Sequence, residues 1–264
     1  MNQLHLLFLY VVIVVSCTNH NQFNSNSGTI VKNAMVSSAH PLASAIGIDI
    51  MNNGGNAIDA AIATHFALTV VYPQAGNIGG GGFAVIRMND GTINSLDFRE
   101  KAPALAHRDM YLNAEGQLND LQSTHGHMAS GVPGSVDGMF TLHQKYGTLP
   151  MFDLIEPSIE MARRGYVLTP LAAEILNAKQ EEFQTYNRWS TPYYSDENWQ
   201  AGDTITQPDL AQTLEHIQSN GRNGFYEGIV ADQIVAEIQS GNGLISLADL
   251  KNYQSVWRKP ITGN

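Results

Sequence analysis

YPQAGNIGGGGFAVIRMNDGTINSLDFREKAP, residues 72–103, is the stretch that decides how this chain folds. A turn-rich start with Pro73, Gly76 and Asn77 leads into four successive glycines, Gly79, Gly80, Gly81 and Gly82. Phe83-Ala84-Val85-Ile86-Arg87 then predicts a strand, Asn89-Asp90-Gly91 a turn, and residues 92–98 the returning strand. The hairpin carries Asp97-Phe98-Arg99-Glu100 to its far end. Four glycines in a row are costly in chain entropy, so the backbone there needs unusual dihedrals or the close approach of another group. A strand follows them, not a helix, which argues against a dinucleotide fingerprint or a P-loop.

Working outward, Pro41 opens a helix whose apolar face holds Leu42, Ala45, Ile46 and Ile50, and Gly54-Gly55 stops it. Residues 56–71 predict a second helix, apolar around most of its circumference and rich in small side chains, hence packed closely against another layer. Pro73 ends it. Downstream, residues 101–133 read as loop. Helices are expected over 135–146, ended by Gly147, and over 152–164, ended by Gly165 with Arg163 and Arg164 in the last turn. A third is expected over 169–183. Residues 186–203 are irregular and aromatic, and Trp189, Tyr193, Tyr194 and Trp199 either line a groove or cover the core. Residues 208–219 and 226–239 predict amphipathic helices stopped by Gly221 and Gly241. Ser246 with Asp249 forms a capping-box pattern, and residues 253–259 predict a strand closed by Pro260. No internal repeat and no linker after Gly28 interrupts the chain, so one body is expected.

Composition narrows the function. The 264 residues carry a net charge of −10 with no basic block, which argues against a nucleic-acid partner. With 14% charged and 43% hydrophobic residues the chain reads as globular. Residues 4–15 form a nearly unbroken apolar run, too short to span a bilayer and matched to a signal-peptide core. It ends in Val14-Val15-Ser16-Cys17, an ending similar to that of bacterial lipoprotein signals, in which Cys17 becomes the acylated N-terminus. An ordinary secretory signal is the alternative, and the absence of Lys or Arg from residues 1–5 departs from either pattern. Cys17 is the sole cysteine, so no intrachain disulfide forms. Residues 18–28 are polar and Asn/Ser-rich, a tether between residues 1–17 and a domain over 29–264.

The usual catalytic motifs are missing. There is no G-x-S-x-G elbow, no H-E-x-x-H and no paired cysteines. His125-Gly126-His127 brings two imidazoles together without a third ligand at a metal spacing, and reads as loop histidines on a solvated surface. Thr64-His65-Phe66 lies in the middle of a predicted helix, where no strained peptide bond is available to it.

PQAGNIGGGGF with LDFRE, Asn53-Gly54-Gly55-Asn56-Ala57-Ile58-Asp59-Ala60-Ala61 upstream and Ala129-Ser130-Gly131-Val132-Pro133-Gly134 downstream together resemble the large subunit of γ-glutamyltransferases. The resemblance covers the chain from about Val31 onward. It implies an α/β fold, the αββα sandwich of N-terminal-nucleophile hydrolases, here as an incomplete large-subunit part. It also implies γ-glutamyl transfer from glutathione or another γ-glutamyl compound to an amino acid, a peptide or water, through an acyl-enzyme on a threonine. That threonine is exposed by self-cleavage of a precursor at a Thr-x-His-aromatic-small run, which this chain does not carry in a suitable place, so the catalytic residue and the small subunit are expected beyond Asn264. No cofactor or metal is implied. Among the residues present, the resemblance assigns Arg99 to the substrate's α-carboxylate, with Asp97 and Glu100 orienting it. The glycines 79–82 are expected to serve close packing, not binding. The alternatives are a cephalosporin (glutaryl) acylase of the same family and a non-catalytic surface lipoprotein that binds without turnover. The expected location is outside the cytoplasm, periplasmic or at the cell surface, held to a bacterial membrane by a lipid anchor alone.

Overall fold

The computed structural model describes residues 30–187 and 189–263; the leader and Cys17 lie outside them. The chain divides into two units, Met1–Met35 and Val36–Asn264. Residues 30–35, the described part of the first, form neither helix nor strand.

The predicted hairpin is present. Strands β1 (Phe83–Arg87) and β2 (Ile93–Asp97) pair antiparallel with Phe83 opposite Asp97 and Arg87 opposite Ile93. A third strand, β5 (Val256–Arg258), pairs antiparallel with β2, placing Asp97 opposite Val256. β2 is therefore central, between the hairpin's first strand and a segment 160 residues further on. Alternation sorts the two faces. Ala84, Ile86, Leu96 and Trp257 turn inward, with Leu96 fully buried, while Phe83, Val85, Arg87, Val256 and Arg258 are exposed.

The inward face lies against helices. α1 (Pro41–Asn52) packs on α2 (Ala57–Val71), which packs in turn on α5 (Met151–Arg164), and α5 packs on α8 (Pro208–Asn220). α2 is central to this stack: Ala60, Ile62, Ala63, Phe66, Ala67, Val70 and Val71 are all buried, as its small, apolar circumference predicts. Thr64 is buried mid-helix with its hydroxyl on the Ala43 carbonyl, so it is a packing residue. α4 (Ser135–Tyr146) packs on α2 and β2. A two-stranded antiparallel pair joins β3 (Tyr166–Val167) to β4 (Thr204–Ile205).

Three expectations are corrected. The helix expected over 169–183 is two, α6 (Pro170–Asn177) and α7 (Gln180–Tyr186), broken where Ala178 caps the first and Lys179 turns away. The helix expected over 226–239 is present but starts two residues later, as α10 (Gly228–Ser240), after a separate short helix α9 (Asn223–Tyr226); Glu227 between them is extended and Gly228 sits at φ +71°, a left-handed turn that no periodicity signals. The loop over 101–133 holds a short helix, α3 (Asp120–Thr124), and a 3₁₀ turn, His127–Ala129. The capping box at Ser246 is present at the start of α11 (Leu247–Lys251).

Aromatic residues of the 186–203 segment serve both offered roles. Trp199 donates from its indole to the Tyr193 carbonyl, and both rings pack against the core. Tyr193 also walls a cavity of about 620 Å³ with Ile78, Gln207 and Leu210, while Trp189 is exposed.

A buried, hydrogen-bonded charge ties α2 to the α4–α5 connection. Asp59 is fully buried and closes a capping box with Asn56, whose backbone N–H it accepts at 2.9 Å. It also accepts the Thr148 N–H at 3.0 Å and the Thr148 hydroxyl, while Asn56 donates to the Tyr146 carbonyl at 2.7 Å. Burial pushes the Asp59 carboxyl up, but the donors from Thr148, Asn56 and Leu149 outweigh it and hold it below the ordinary carboxylate value. Its lowered native value means that the stabilisation is complete above the unfolded value of 3.8 and is lost as pH falls through the native one. Asp59→Asn should cost on the order of 2–3 kcal/mol at neutral pH by urea unfolding. The gap between wild type and variant should narrow as the titration is repeated below pH 4; a gap independent of pH would mean the charge is not what holds the turn.

Candidate functional site

Three separated motifs of the sequence meet at one point, the end of β2. The strand ladder runs one residue past the hairpin: Phe98 N–H donates to the Gly82 carbonyl at 3.0 Å, and Gly82 N–H to the Phe98 carbonyl at 3.3 Å. Lys101 and Val132 then exchange N–H···O bonds of 3.1 and 2.8 Å, stitching the segment after Arg99 to the Gly131-Val132-Pro133-Gly134 turn. Finally the first donors of α4, Gly134 N–H and Ser135 N–H, both reach the Gly80 carbonyl, at 2.7 and 3.0 Å. Helix starts leave such donors orphaned, and here a loop carbonyl satisfies them. The Asn77 side chain reinforces the join, accepting from Gly80 N–H and from the Ser135 hydroxyl, each at 2.8 Å.

Close approach explains the glycines. None of the four adopts a positive φ. A Cβ on Gly81 would stand 2.6 Å from the Phe98 carbonyl oxygen and 2.8 Å from the Arg99 Cα. One on Gly134 would meet the Phe98 carbonyl at 2.2 Å and the Tyr253 hydroxyl at 2.1 Å, and one on Gly138 the Phe98 ring at 2.4 Å. Gly79 alone of the run faces open space. The packing role expected of residues 79–82 thus falls on Gly80, Gly81 and Gly82.

Arg99 emerges from this knot with its backbone held on both sides. Its N–H donates to Asp97 Oδ1 at 3.1 Å, and its carbonyl accepts from the Tyr253 hydroxyl at 2.6 Å. The side chain is exposed, its Cζ 5.6 Å from the centre of the Phe83 ring. The carboxylates do not take the parts expected of them. Asp97 grips the Arg99 backbone and, through Oδ2, the Arg258 Nε at 2.7 Å; the Arg99 N–H first, then Arg258, keep its carboxyl below the usual range. Neither Asp97 nor Glu100 forms an ion pair with the Arg99 guanidinium among the described residues. The sequence offered no means of ranking Arg258 above Arg99 as the partner of Asp97, because that choice is made by β5 pairing.

A second group of residues, unnoticed in the sequence, fixes Tyr253. Asp137, nearly buried in the first turn of α4, accepts Arg222 Nε at 2.5 Å, Ser255 N–H at 2.7 Å and the Ser255 hydroxyl at 2.6 Å. Arg222 also donates to the Tyr253 carbonyl and lies over the Tyr226 ring at 4.3 Å. Tyr226 stacks on Tyr253 at 5.9 Å and donates to the Pro133 carbonyl at 2.9 Å. Burial, with the Asp137 charge adding to it, pushes the Tyr253 phenol up to about 12, so its proton stays in place to bond the Arg99 carbonyl.

His125 and His127 part company. His125 is exposed against the Tyr186 ring, whereas His127 is half-buried and bonds Glu237 at 2.9 Å, so the solvated-surface reading holds for the first only. No group of three metal-ligating side chains occurs among the described residues.

Comparison with known proteins bears on the fold and the family. The model of the Gamma-glutamyltranspeptidase family matches residues 43–264. A glutathione hydrolase proenzyme of Escherichia coli is 42% identical over 235 residues, which is 88% of this chain and 40% of the relative. The chain therefore spans about two fifths of the length of the curated relatives it matches. The crystal structure of Helicobacter pylori gamma-glutamyltranspeptidase superposes with a TM-score of 0.84 at 43% identity, covering 89% of this chain and 68% of that one. A cephalosporin acylase from Bacillus halodurans superposes at 0.74 and 28% identity, covering 90% and 46%. The expected α/β fold of N-terminal-nucleophile hydrolases is thereby borne out.

The glycine analysis makes a paired test. Gly138→Ala should destabilise by about 1–3 kcal/mol despite alanine's better helix propensity, because its methyl would overlap the Phe98 ring. Gly79→Ala, with nothing in its way, should be neutral or slightly stabilising. Equal urea midpoints for the two variants would dissolve the packing argument.

Proposed function

Since this chain belongs to the gamma-glutamyltranspeptidase family, we propose that it serves the transfer of γ-glutamyl groups from glutathione and related compounds to water, amino acids or peptides. The observation that carries the reading is Arg99: an exposed guanidinium on a rigid backbone, without an ion pair among the described residues, at the point where the family's motifs converge. A γ-glutamyl group presents a planar α-carboxylate, and a guanidinium can grip it with two parallel hydrogen bonds where an ammonium cannot. Arg99 is assigned that grip. The acyl-accepting threonine is assigned to the part of the relatives' length that this chain does not span. The higher identity to a glutathione hydrolase than to the acylase, 42% against 28%, favours a γ-glutamyl over a glutaryl substrate. For location, the apolar run ending at Cys17 supports export and lipid anchoring.

In the product of the whole gene, Arg99→Ala and Arg99→Lys should lower kcat/KM on a γ-glutamyl substrate roughly ten- to a few-hundred-fold. On the same substrate with its α-carboxylate blocked as an amide, variants and wild type should converge. Undiminished turnover of the free-carboxylate substrate by Arg99→Ala would remove the assignment. Separately, Cys17→Ala should shift the protein from the membrane to the soluble fraction on cell fractionation; retention at the wild-type level would rule out acylation at Cys17.

A further inference from the structure

We propose that Phe83 is the positioning residue for the Arg99 guanidinium, its ring acting as a shelf that sets the plane in which an α-carboxylate is met. The inference rests on the assignment of Arg99 to that carboxylate. A fixed backbone does not fix a guanidinium four rotatable bonds away. In many sites a neighbouring carboxylate does so, but here Asp97 is engaged by Arg258 and by the Arg99 N–H. What remains is the Phe83 ring, 5.6 Å from Arg99 Cζ. Strand register brings it there: Phe83 pairs directly with Asp97, two residues before Arg99, so all three fall on one side of the ladder.

Phe83 is also a phenyl ring the core does not use. It is 61% exposed, while its neighbours Ile86 and Leu96 fill the buried face. A stack on the face of a guanidinium suits a carboxylate grip in a way an ion pair does not. The five N–H donors lie in the guanidinium plane and point outward from its edge, so a ring against the face orients the plane and leaves every donor free. A carboxylate partner would occupy two of those donors and neutralise the charge the substrate needs.

The test uses the product of the whole gene. Phe83→Leu keeps apolar bulk and removes the π face; Phe83→Tyr keeps the face. Phe83→Leu should raise KM for a free-carboxylate γ-glutamyl substrate about three- to tenfold with kcat within about twofold, the size expected of a half-exposed cation–π contact. It should leave the α-amide substrate unchanged, and Phe83→Tyr should restore wild-type behaviour. On an Arg99→Ala background Phe83→Leu should add nothing. An equal effect on both substrates, or an undiminished effect on that background, would show Phe83 acting through the fold and overturn the proposal. A readout free of turnover separates the two assignments: the Arg99 Nε–Hε resonance, identified by its loss in Arg99→Lys, should be ring-shifted in wild type and move in Phe83→Leu. A resonance that does not move overturns the shelf. A resonance that moves, together with unchanged activity in Arg99→Ala, upholds the contact but sinks the carboxylate grip, and with it the positioning role.

Discussion

Phe98 is enclosed so tightly that three of the segments around it cannot carry a single additional carbon. Gly82, Gly134 and Gly138 each stand where a Cβ would press on its ring or carbonyl, and Gly81 does the same to the residue that follows. Glycine loses more chain entropy on folding than any other residue, by roughly 0.5–1 kcal/mol relative to alanine in a regular element. That cost is tolerable where contact is made backbone to backbone, since a side chain in between would push α4 off β2. The outcome is that β2, the glycine run and the start of α4 share hydrogen bonds instead of merely touching. Arg99 follows Phe98, so its own backbone position is decided by all three at once.

Around that contact lies a buried charge cluster with a different purpose. Asp137 and Arg222 would be expensive to bury unpaired, and even as a pair they offset their desolvation only when their remaining hydrogen-bonding capacity is filled. Here it is filled by Ser255 and by the Tyr253 carbonyl. These partners come from the approach to β5, so the cluster chiefly determines where that strand docks. A hydrophobic substitute could match its stability but would not orient Tyr253, whose hydroxyl completes the hold on the Arg99 carbonyl.

The sequence was legible wherever the signal was local. The hairpin, the helix over 57–71, the Ser246 cap and most glycine stops follow from periodicity, turn chemistry and capping, which act over a few residues. Arg99 could be singled out because its motif resembles that of a known family. Illegible were the features set by distant partners. The break at Glu227 depends on a left-handed glycine that reads like any other. Asp59 stood inside a motif, and nothing announced that Thr148 would reach it from 89 residues away. Asp97 and Glu100 looked like the natural partners of Arg99 because they are its neighbours in the chain. The pairing of β5 with β2 instead gave Asp97 to Arg258.

That exchange has a physical consequence for any carboxylate-binding role. Had Asp97 paired with Arg99, an incoming carboxylate would have had to displace it, and a charged hydrogen bond would have been broken to form another with little net gain. With Arg258 holding Asp97, the acid is neutralised beside the site without drawing on the Arg99 donors. The chain as a whole carries a net charge of −10, which repels an anionic ligand at long range. At physiological salt such repulsion is screened beyond about 8 Å. Attraction is therefore decided by the few charges nearest the ligand, and among them the Arg258 guanidinium offsets the carboxylate of Asp97. Backbone rigidity, a π surface under the side chain and a neutralised neighbour together keep the guanidinium available without leaving it free to wander.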